Sequence, residues 1–239
     1  MGKAKNQTVG YKYYMGIHMG MGRGPVDELC EIKVGDRQAW QGSLTGNARI
    51  NISKPDLFGG TKGEGGIDGT FDLMMGGASQ VKASKLAAML SGDQPEFRGI
   101  VTAFFDGMIC AMNPYPKKWA FRVRRILQGW DGAVWYPEKA KISLTGRYAD
   151  GGSREVIAMN PVHIIYEALT NRGWGLGRDR SLFLDAAWKA AADKLYDEKF
   201  GLCIRWGRQD TLMSFVQTVI DHIGCAVYVD KFTGKFTIK

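Results

Sequence analysis

Alternating hydrophobic and polar positions predict β-strands through the N-terminal part of the chain. Tyr, Met and Ile occupy the odd positions between residues 11 and 19, and Lys, Tyr, Gly and His occupy the even ones. This is the period of a strand with one buried face. Residues 100–105 are apolar on both faces, which is typical of a central strand covered on both sides. Asp106-Gly107 is expected to turn the chain into a further strand over residues 108–112.

Two glycine-rich segments interrupt this pattern. Residues 20–25 lack the G-x-G-x-x-G form of a dinucleotide-binding loop, and residues 58–69 lack the G-x-x-x-x-G-K-[ST] form of a phosphate-binding loop. The sequence therefore favours a loop or bulge for the first segment. For the second we expect a mobile loop between strands.

The best-specified helix begins after Asn160. Asn160 is a strong N-cap, and Pro161 stands at the first helical position, where an N–H would be unpaired anyway. Apolar residues then recur at helical spacing and form one stripe: Val162, Ile165, Ala168 and Leu169. His163 and Glu167 are four residues apart on another face, which we predict to be exposed to solvent. Gly173 should end the helix, and the Gly-Trp-Gly-Leu-Gly loop after it should fold back over its own core.

Further patterns extend this region to the end of the sequence. A short helix is predicted over residues 84–90, a second amphipathic helix over 184–195, and a third between Asp210 as its cap and Gly224. Residues 202–206 suggest a short strand, and residues 225–238 a hairpin. The pattern stops in mid-strand, so we expect the chain to be the N-terminal part of a longer protein.

These elements predict an α+β protein. A β-rich, barrel-like region is expected over residues 1–155, and a module of three helices plus a hairpin over residues 156–239. The Gly/Ser patch at residues 150–153 is the best candidate for the boundary. The 32 glycines and 7 prolines among 239 residues agree with a fold that contains many turns.

The net charge of +8 favours anionic partners without identifying one. It is concentrated in residues 117–125, the basic segment, whose cationic residues are Lys117, Lys118, Arg122, Arg124 and Arg125. Trp119, Phe121 and Val123 alternate with the arginines and should face the opposite side, as part of the core. The favoured interpretation is a solvated or subunit-facing basic edge. Direct nucleic-acid binding and the wall of a DNA channel are the alternatives.

The sequence contains no motif for a metal site or an activated nucleophile. The histidines are few, and the cysteines, Cys30, Cys110, Cys203 and Cys225, are far apart, so buried free thiols are favoured over a metal cluster assembled at long range. Carboxylate pairs such as Asp68 with Asp72, or Glu28 with Glu31, leave a glycan-cleaving enzyme as a weaker alternative. We expect no catalytic residue, cofactor or metal. No apolar run approaches the ~20 residues of a membrane helix, so no stable membrane insertion is expected.

Several segments resemble the tail hub proteins of long-tailed bacteriophages. They are the helix ending Thr-Asn-Arg-Gly-Trp-Gly-Leu-Gly at residue 177, and a Phe-x-x-x-Val-x-x-x-x-Gly-Cys segment that leads into the last hairpin. Residues 11–25, 57–76 and 113–126 look like the same group. The resemblance is to the lambda-type tip attachment protein and its relatives, which are similar in fold to the baseplate hub of contractile-tailed phages.

This resemblance implies a structural virion protein at the distal end of a phage tail, made in the cytoplasm of the bacterial host. Three copies would form a ring that joins the tail tube to the tip or central fibre and surrounds the exit channel for DNA. The implied partners are two further copies of the chain, the distal tail or tube protein, and tip or fibre proteins, with genomic DNA passing transiently. The shared motifs are structural and imply no catalytic role.

Overall fold

The chain is a mixed α and β protein in which strands outnumber helices. The computed structural model describes residues 10–90, 93–147, 152–207 and 210–239. Two compact units, Met1–Gly129 and Trp130–Lys239, divide the chain. The division therefore lies before the boundary expected at residue 155. The Gly/Ser patch proposed for that boundary falls mainly outside the described residues, and its last residue, Ser153, begins a strand of the second unit.

The first unit contains two antiparallel sheets. Their strands are β1 (Lys12–Arg23), β2 (Glu28–Val34), β3 (Arg37–Leu44), β4 (Ala48–Lys54), β5 (Ile67–Met74), β6 (Ile100–Ala111) and β7 (Trp119–Arg124). One sheet has the order β1-β6-β5-β4 and the other β3-β2-β7. In the described part of the chain neither sheet closes on itself, so the barrel-like expectation is not confirmed.

The core of this unit lies between the two sheets. Leu29 and Ile32 of β2 are fully buried against Phe71 of β5 and Phe105 of β6. Trp119 of β7 packs on Phe105, with ring centroids 5.0 Å apart. Trp119 and Phe121 of β7 thus lie on the inner side, as the alternation predicted, whereas Val123, which was also expected in the core, is 40% exposed. Burial of this apolar surface is the main stabilising contribution to the unit.

Strand β6 corrects the expected turn at Asp106-Gly107. The strand runs through this dipeptide without interruption and pairs with β1 on one side and β5 on the other. Gly107 lies directly opposite Gly69, where an added Cβ on Gly69 would be 2.4 Å from the Asp106 carbonyl oxygen. Hydrogen bonding along both edges therefore overrides the local turn preference. Close approach of the two backbones explains both glycines.

Helix α1 (Ser84–Met89) is tied to the first sheet by polar contacts. Lys85 Nζ lies 2.7 Å from Asp106 Oδ2, and Arg49 donates to Ser84 Oγ at 3.0 Å. Arg49 also donates both to Asp72 Oδ1, at 2.5 Å, and to Asp72 Oδ2, at 2.7 Å. The predicted short helix is confirmed.

The glycine-rich segment lies between β4 and β5, as expected, and its backbone forms a hydrogen-bonded turn. Phe58 N donates to Gly65 O at 2.7 Å, Glu64 N to Phe58 O at 3.0 Å, and Gly65 N to Gly60 O at 3.0 Å. Ala111 N, at the end of β6, donates to Glu64 O at 2.8 Å. Three of these hydrogen bonds lie within the segment, and the fourth joins it to β6, which the sequence does not show.

The second unit surrounds one central helix. Its elements are β8 (Lys141–Arg147), β9 (Ser153–Met159), α2 (Pro161–Thr170), α3 (Asp185–Asp197), α4 (Leu212–Ile223), β10 (Val227–Val229) and β11 (Phe236–Ile238). All ten residues of α2 are buried. The prediction that His163 and Glu167 face water is therefore wrong: their exposed fractions are 0% and 2%. Amphipathic spacing identifies one buried stripe but does not show that other elements cover the opposite side.

The start of α2 is as predicted, and its end differs. The Asn160 side chain accepts a hydrogen bond from Val162 N at 3.1 Å, which is the expected N-cap. The helix stops at Thr170, and Asn171 Oδ1 then accepts from Gly173 N at 2.9 Å. Asn171, rather than Gly173, therefore ends the helix.

The loop after α2 folds back through its backbone. Leu176 N donates to Ala168 O at 3.0 Å, and Arg178 N donates to Leu169 O at 2.9 Å. These bonds satisfy carbonyl groups that a helix end otherwise leaves unpaired. The Leu176 side chain is 41% exposed, so the loop caps the helix without inserting this leucine into the core.

The third helix of the second unit is confirmed with a small shift, whereas the strand predicted before it is not. Thr211 caps α4 by accepting from Ser214 N, one residue after the expected Asp210, and Gly224 closes the helix in the left-handed conformation. The strand expected over residues 202–206 is reduced to a bridge between Leu202 and Met159. Among the described residues, no helix combines the length and the apolar character that crossing a membrane requires.

Candidate interaction site on the basic strand

The arginines of the basic segment face acidic residues on the neighbouring strand. Arg124 of β7 is opposite Glu28 of β2, and Arg122 is opposite Glu31. Arg124 Nη1 donates to Glu28 Oε2, and Arg122 Nε lies 3.5 Å from Glu31 Oε2. Opposite charges at directly paired positions stabilise a sheet. The arginine row is therefore neutralised within the unit.

A β-bulge brings these charges together. Glu28 and Glu31 are three residues apart, whereas Arg122 and Arg124 are two apart, and the register shifts between Leu29 and Glu31. An extra residue in one strand re-aims the side chains on either side of it. Sequence analysis missed the acidic partners because regular alternation puts Glu28 and Glu31 on opposite faces.

Lys117 is held by the glycine-rich turn. Its Nζ lies 2.5 Å from Glu64 Oε2 and 4.9 Å from the centre of the Phe58 ring. The hydrogen bond and the charge of this ammonium group lower the pKa of Glu64 below its usual value. The acid that neutralises Lys117 therefore comes from 53 positions away in the sequence.

The two remaining cationic residues of the segment, Arg125 and Lys118, differ in their contacts. Arg125 Nη2 donates to the Gly129 carbonyl oxygen at 2.6 Å, which fixes the guanidinium on its own loop. Lys118 is exposed, and the described part of the chain shows no ion pair for it. Of the five predicted contact residues, three thus form ion pairs with glutamates, one binds a carbonyl group, and Lys118 faces solvent.

The aromatic residues of the segment do not form a base-stacking surface. Trp119 and Phe121 pack against Phe71, with ring centroids 6.3 and 5.9 Å away. Both are in the core between the sheets, as the alternation predicted. A single-strand nucleic-acid site needs exposed rings beside free cations, and in this segment the rings are in the core and the arginines are paired.

The carboxylates considered for catalysis are engaged in structural contacts. Asp72 binds Arg49 through both oxygens, and Glu28 and Glu31 bind the arginines of β7. Asp68 is exposed on β5. Across residues 10–90, 93–147, 152–207 and 210–239, His, Cys, Asp and Glu side chains form no group of three or more that could hold a metal ion.

The cysteines are free thiols, but they are not all buried. Cys30 and Cys110 are buried, Cys225 is partly buried and Cys203 is exposed. Burial raises the pKa values of Cys30, Cys110 and Cys225 above the ordinary thiol value. These three thiols are therefore poorly nucleophilic at neutral pH.

The second unit contains a buried histidine among aromatic rings. His163 lies 4.8 Å from the Trp135 ring and 6.4 Å from the Trp130 ring, measured between centroids. Its Nε2 donates to the Tyr136 carbonyl oxygen at 2.8 Å, and its buried Nδ1 has no hydrogen-bond partner among the residues that the structure describes. Burial lowers the pKa of His163 to about 4. The ring is therefore neutral at physiological pH, and its role is structural.

Tyr136 is also held in place from two sides. Its hydroxyl group donates to Asp193 Oδ1 at 2.7 Å, while its carbonyl group accepts from His163. The hydrogen bond to this carboxylate raises the pKa of Tyr136 to about 12. These contacts hold Tyr136 in a left-handed conformation with φ of 45°. Such a conformation is costly for a non-glycine residue.

Comparison with known proteins gives no relationship on which a function could be based. No protein-family model matches the chain, and no curated protein sequence matches it significantly.

Proposed function

We propose that this chain is a structural hub subunit at the distal end of a bacteriophage tail. Three copies would form a ring that joins the tail tube to the tip or central fibre and surrounds the DNA exit channel. The proposal starts from the sequence resemblance of residues 11–25, 57–76, 113–126 and 160–177 to tail hub proteins.

The ion pairs of the basic segment are the observation that favours a hub over a nucleic-acid-binding module. A module that binds phosphates gains affinity from cations that release counterions on binding. Here Lys117, Arg122 and Arg124 already have glutamate partners. A neutralised polar surface suits contact with another subunit, or a channel wall past which DNA slides without being retained.

The segments that carry the resemblance also have structural roles. Residues 11–25 include β1, residues 113–126 include β7, and residues 160–177 include α2 and the loop that caps it. Their side chains and backbone groups are used in sheet pairing, core packing and helix capping. This use of the motifs agrees with a protein whose role is assembly.

We include in this proposal that the first unit contributes to a barrel-like wall, as expected of a hub. The first unit has outer strands, β1 and β4 in one sheet and β3 and β7 in the other, that have one neighbour each within their sheets. Free strand edges favour pairing with another chain. In a ring, such edges would let neighbouring copies continue one wall.

The test is the mass of the purified chain in solution by light scattering, with electron microscopy of the same sample. We expect particles of three times the 26.4 kDa of one chain, seen as rings. The ring should join tube-like assemblies when the tube protein is added. A chain that stays monomeric at all concentrations and joins no tube would contradict the proposal.

DNA binding distinguishes the alternative. A nucleic-acid module predicts affinity that falls steeply with salt and is lost in the double variant Arg122→Ala with Arg124→Ala. The hub proposal predicts weak binding that this variant does not reduce, because both arginines are paired with glutamates. Lys118→Ala is the matched control for general surface charge, since Lys118 is exposed.

A further inference from the structure

The turn between β10 and β11 presents one fully exposed aromatic side chain. Phe232 has a relative exposure of 101%, so its ring is fully exposed with respect to the described residues of its unit. Tyr228 and Val229, at the end of β10, are 48% and 51% exposed. Tyr228 and Val229 are consecutive strand residues that point to opposite faces, so Phe232 is the apolar group at the tip of this hairpin, residues 230–234.

The turn is braced so that it holds Phe232 outward. Asp230 Oδ1 accepts a hydrogen bond from Phe232 N at 2.9 Å, and Asp230 Oδ2 accepts from Thr233 Oγ1 at 3.0 Å. Asp230 N donates to Lys235 O, and Gly234 N to Asp230 O, both at 2.8 Å. Because the turn is already ordered, little conformational freedom remains to be lost when Phe232 binds a partner.

The charges around the tip are mainly positive. Lys231 and Lys235 flank Phe232 on the turn, and both are exposed. The carboxylate of Asp230, the acid of this turn, is occupied by hydrogen bonds to the turn itself. The tip therefore carries two exposed lysines beside the phenyl ring, and one carboxylate that is turned to the backbone and side chain of the turn.

We infer that this tip makes a reversible, peripheral contact with an anionic phospholipid surface. The phenyl ring would enter the boundary between headgroups and acyl chains, and the two lysines would lie beside lipid phosphates. Two lysines beside a projecting ring complement a negatively charged surface, and a fluid interface accepts an isolated ring without a preformed pocket. This inference does not depend on the proposed hub function.

Vesicle flotation tests the inference with the full chain. We expect binding to vesicles of equimolar phosphatidylcholine and phosphatidylglycerol, and none to pure phosphatidylcholine. Phe232→Ser should weaken binding by roughly tenfold or more, since the ring is the largest apolar group at the tip. Lys231→Gln combined with Lys235→Gln should remove the preference for anionic vesicles.

The controls separate this tip from other exposed groups. Tyr115 is 76% exposed in the first unit, so Tyr115→Ser removes a comparable ring elsewhere and should leave binding unchanged. Phe232→Ser should not alter thermal unfolding, because the phenyl ring is fully exposed with respect to the described residues of its unit.

Three results would overturn the inference. They are absence of binding to anionic vesicles, equal binding by the Phe232→Ser variant, and self-association of the chain that Phe232→Ser abolishes. The last result would identify the tip as a protein contact.

Discussion

Acidification should destabilise the second unit through one residue, His163. The imidazole is fully buried in α2, with Trp135 and Trp130 around it, and its Nδ1 has no hydrogen-bond partner in the described part of the chain. Adding a proton there would place a charge among apolar rings. The nearby Tyr136 and Trp135 carbonyl groups and the charge of Glu138 oppose the resulting fall in pKa, but burial outweighs them.

The size of this destabilisation follows from the difference between the pKa of His163 in the folded state and its pKa in the unfolded state. His163 has a pKa of about 4 when folded and 6.5 when unfolded, so the gap is about 2.5 units. At about 1.36 kcal/mol per unit, neutral His163 contributes roughly 3 kcal/mol to the free energy of unfolding. Because the folded pKa is the lower one, this contribution is complete above pH 6.5. It is lost as the pH falls through the window from 6.5 to about 4.

The other groups of the second unit with shifted pKa values act outside that window, whereas in the first unit burial also lowers the pKa of His18 from 6.5 and Lys117 lowers the pKa of Glu64 from 4.5. Hydrogen bonds from Arg172 lower the pKa of Asp131, and those from Lys189 and Trp135 lower the pKa of Asp185. A carboxylate with a depressed pKa loses its contribution only as the pH falls below its ordinary value of 3.8. In a series that stops at about pH 4, the opening of α2 therefore reports mainly on His163, whereas global unfolding also includes the contribution of His18.

The assay is urea unfolding of the full chain across this pH series, with peptide-resolved hydrogen exchange to follow α2 separately from the first unit. The free energy of opening α2 should fall by roughly 3 kcal/mol between pH 6.5 and about pH 4. His163→Gln should be less stable at neutral pH and should show almost no slope in the window. His222→Gln is the matched control, because His222 is exposed on α4, and it should keep the wild-type slope.

Two results would refute this reasoning. One is a His163 resonance that titrates near pH 6.5 in the folded protein by NMR. The other is a pH slope that survives His163→Gln unchanged, which would assign the acid sensitivity to another group.

Two further predictions concern stability. Arg124→Ala leaves the Glu28 carboxylate, whose side chain is 14% exposed, without its partner, and should lower the free energy of unfolding in urea by about 1–3 kcal/mol. Adding Glu28→Ala should restore part of this stability. Additive effects of the two substitutions would contradict the pairing. Gly175→Ala should lower the free energy of unfolding by about 2 kcal/mol or more, because the new Cβ would lie 2.3 Å from the Ala168 carbonyl oxygen. Gly46→Ala is the control: its new Cβ would meet no atom within 4 Å, so stability should change by less than about 0.5 kcal/mol. Equal effects of the two glycine substitutions would refute the steric argument.

Local signals in the sequence were enough to predict most elements. Alternation predicted β1 and β7 because a strand's side-chain period of two depends only on its own residues. Asn160 and Pro161 fixed the start of α2 for the same reason, since a helix cap is made by neighbours in sequence. The same holds for Gly224, which closes α4 in the left-handed conformation.

The candidate site depended on contacts between distant segments. Glu64 is far from Lys117 in the sequence, and the pairing of Glu28 and Glu31 with β7 requires a bulge that alternation does not reveal. The sequence therefore predicted where the cations lie and which side the rings face. It did not predict that the arginines are neutralised.

The sequence by itself determined the type and position of most elements, and the tertiary structure decided what each face contacts. His163 lies on the side of α2 opposite its apolar stripe, so periodicity predicts a wet position. In the structure the residues around Trp135 cover that side, and the histidine is buried. Helical periodicity depends only on the residue types along one segment, whereas the burial of a side chain depends on every segment that packs against the helix.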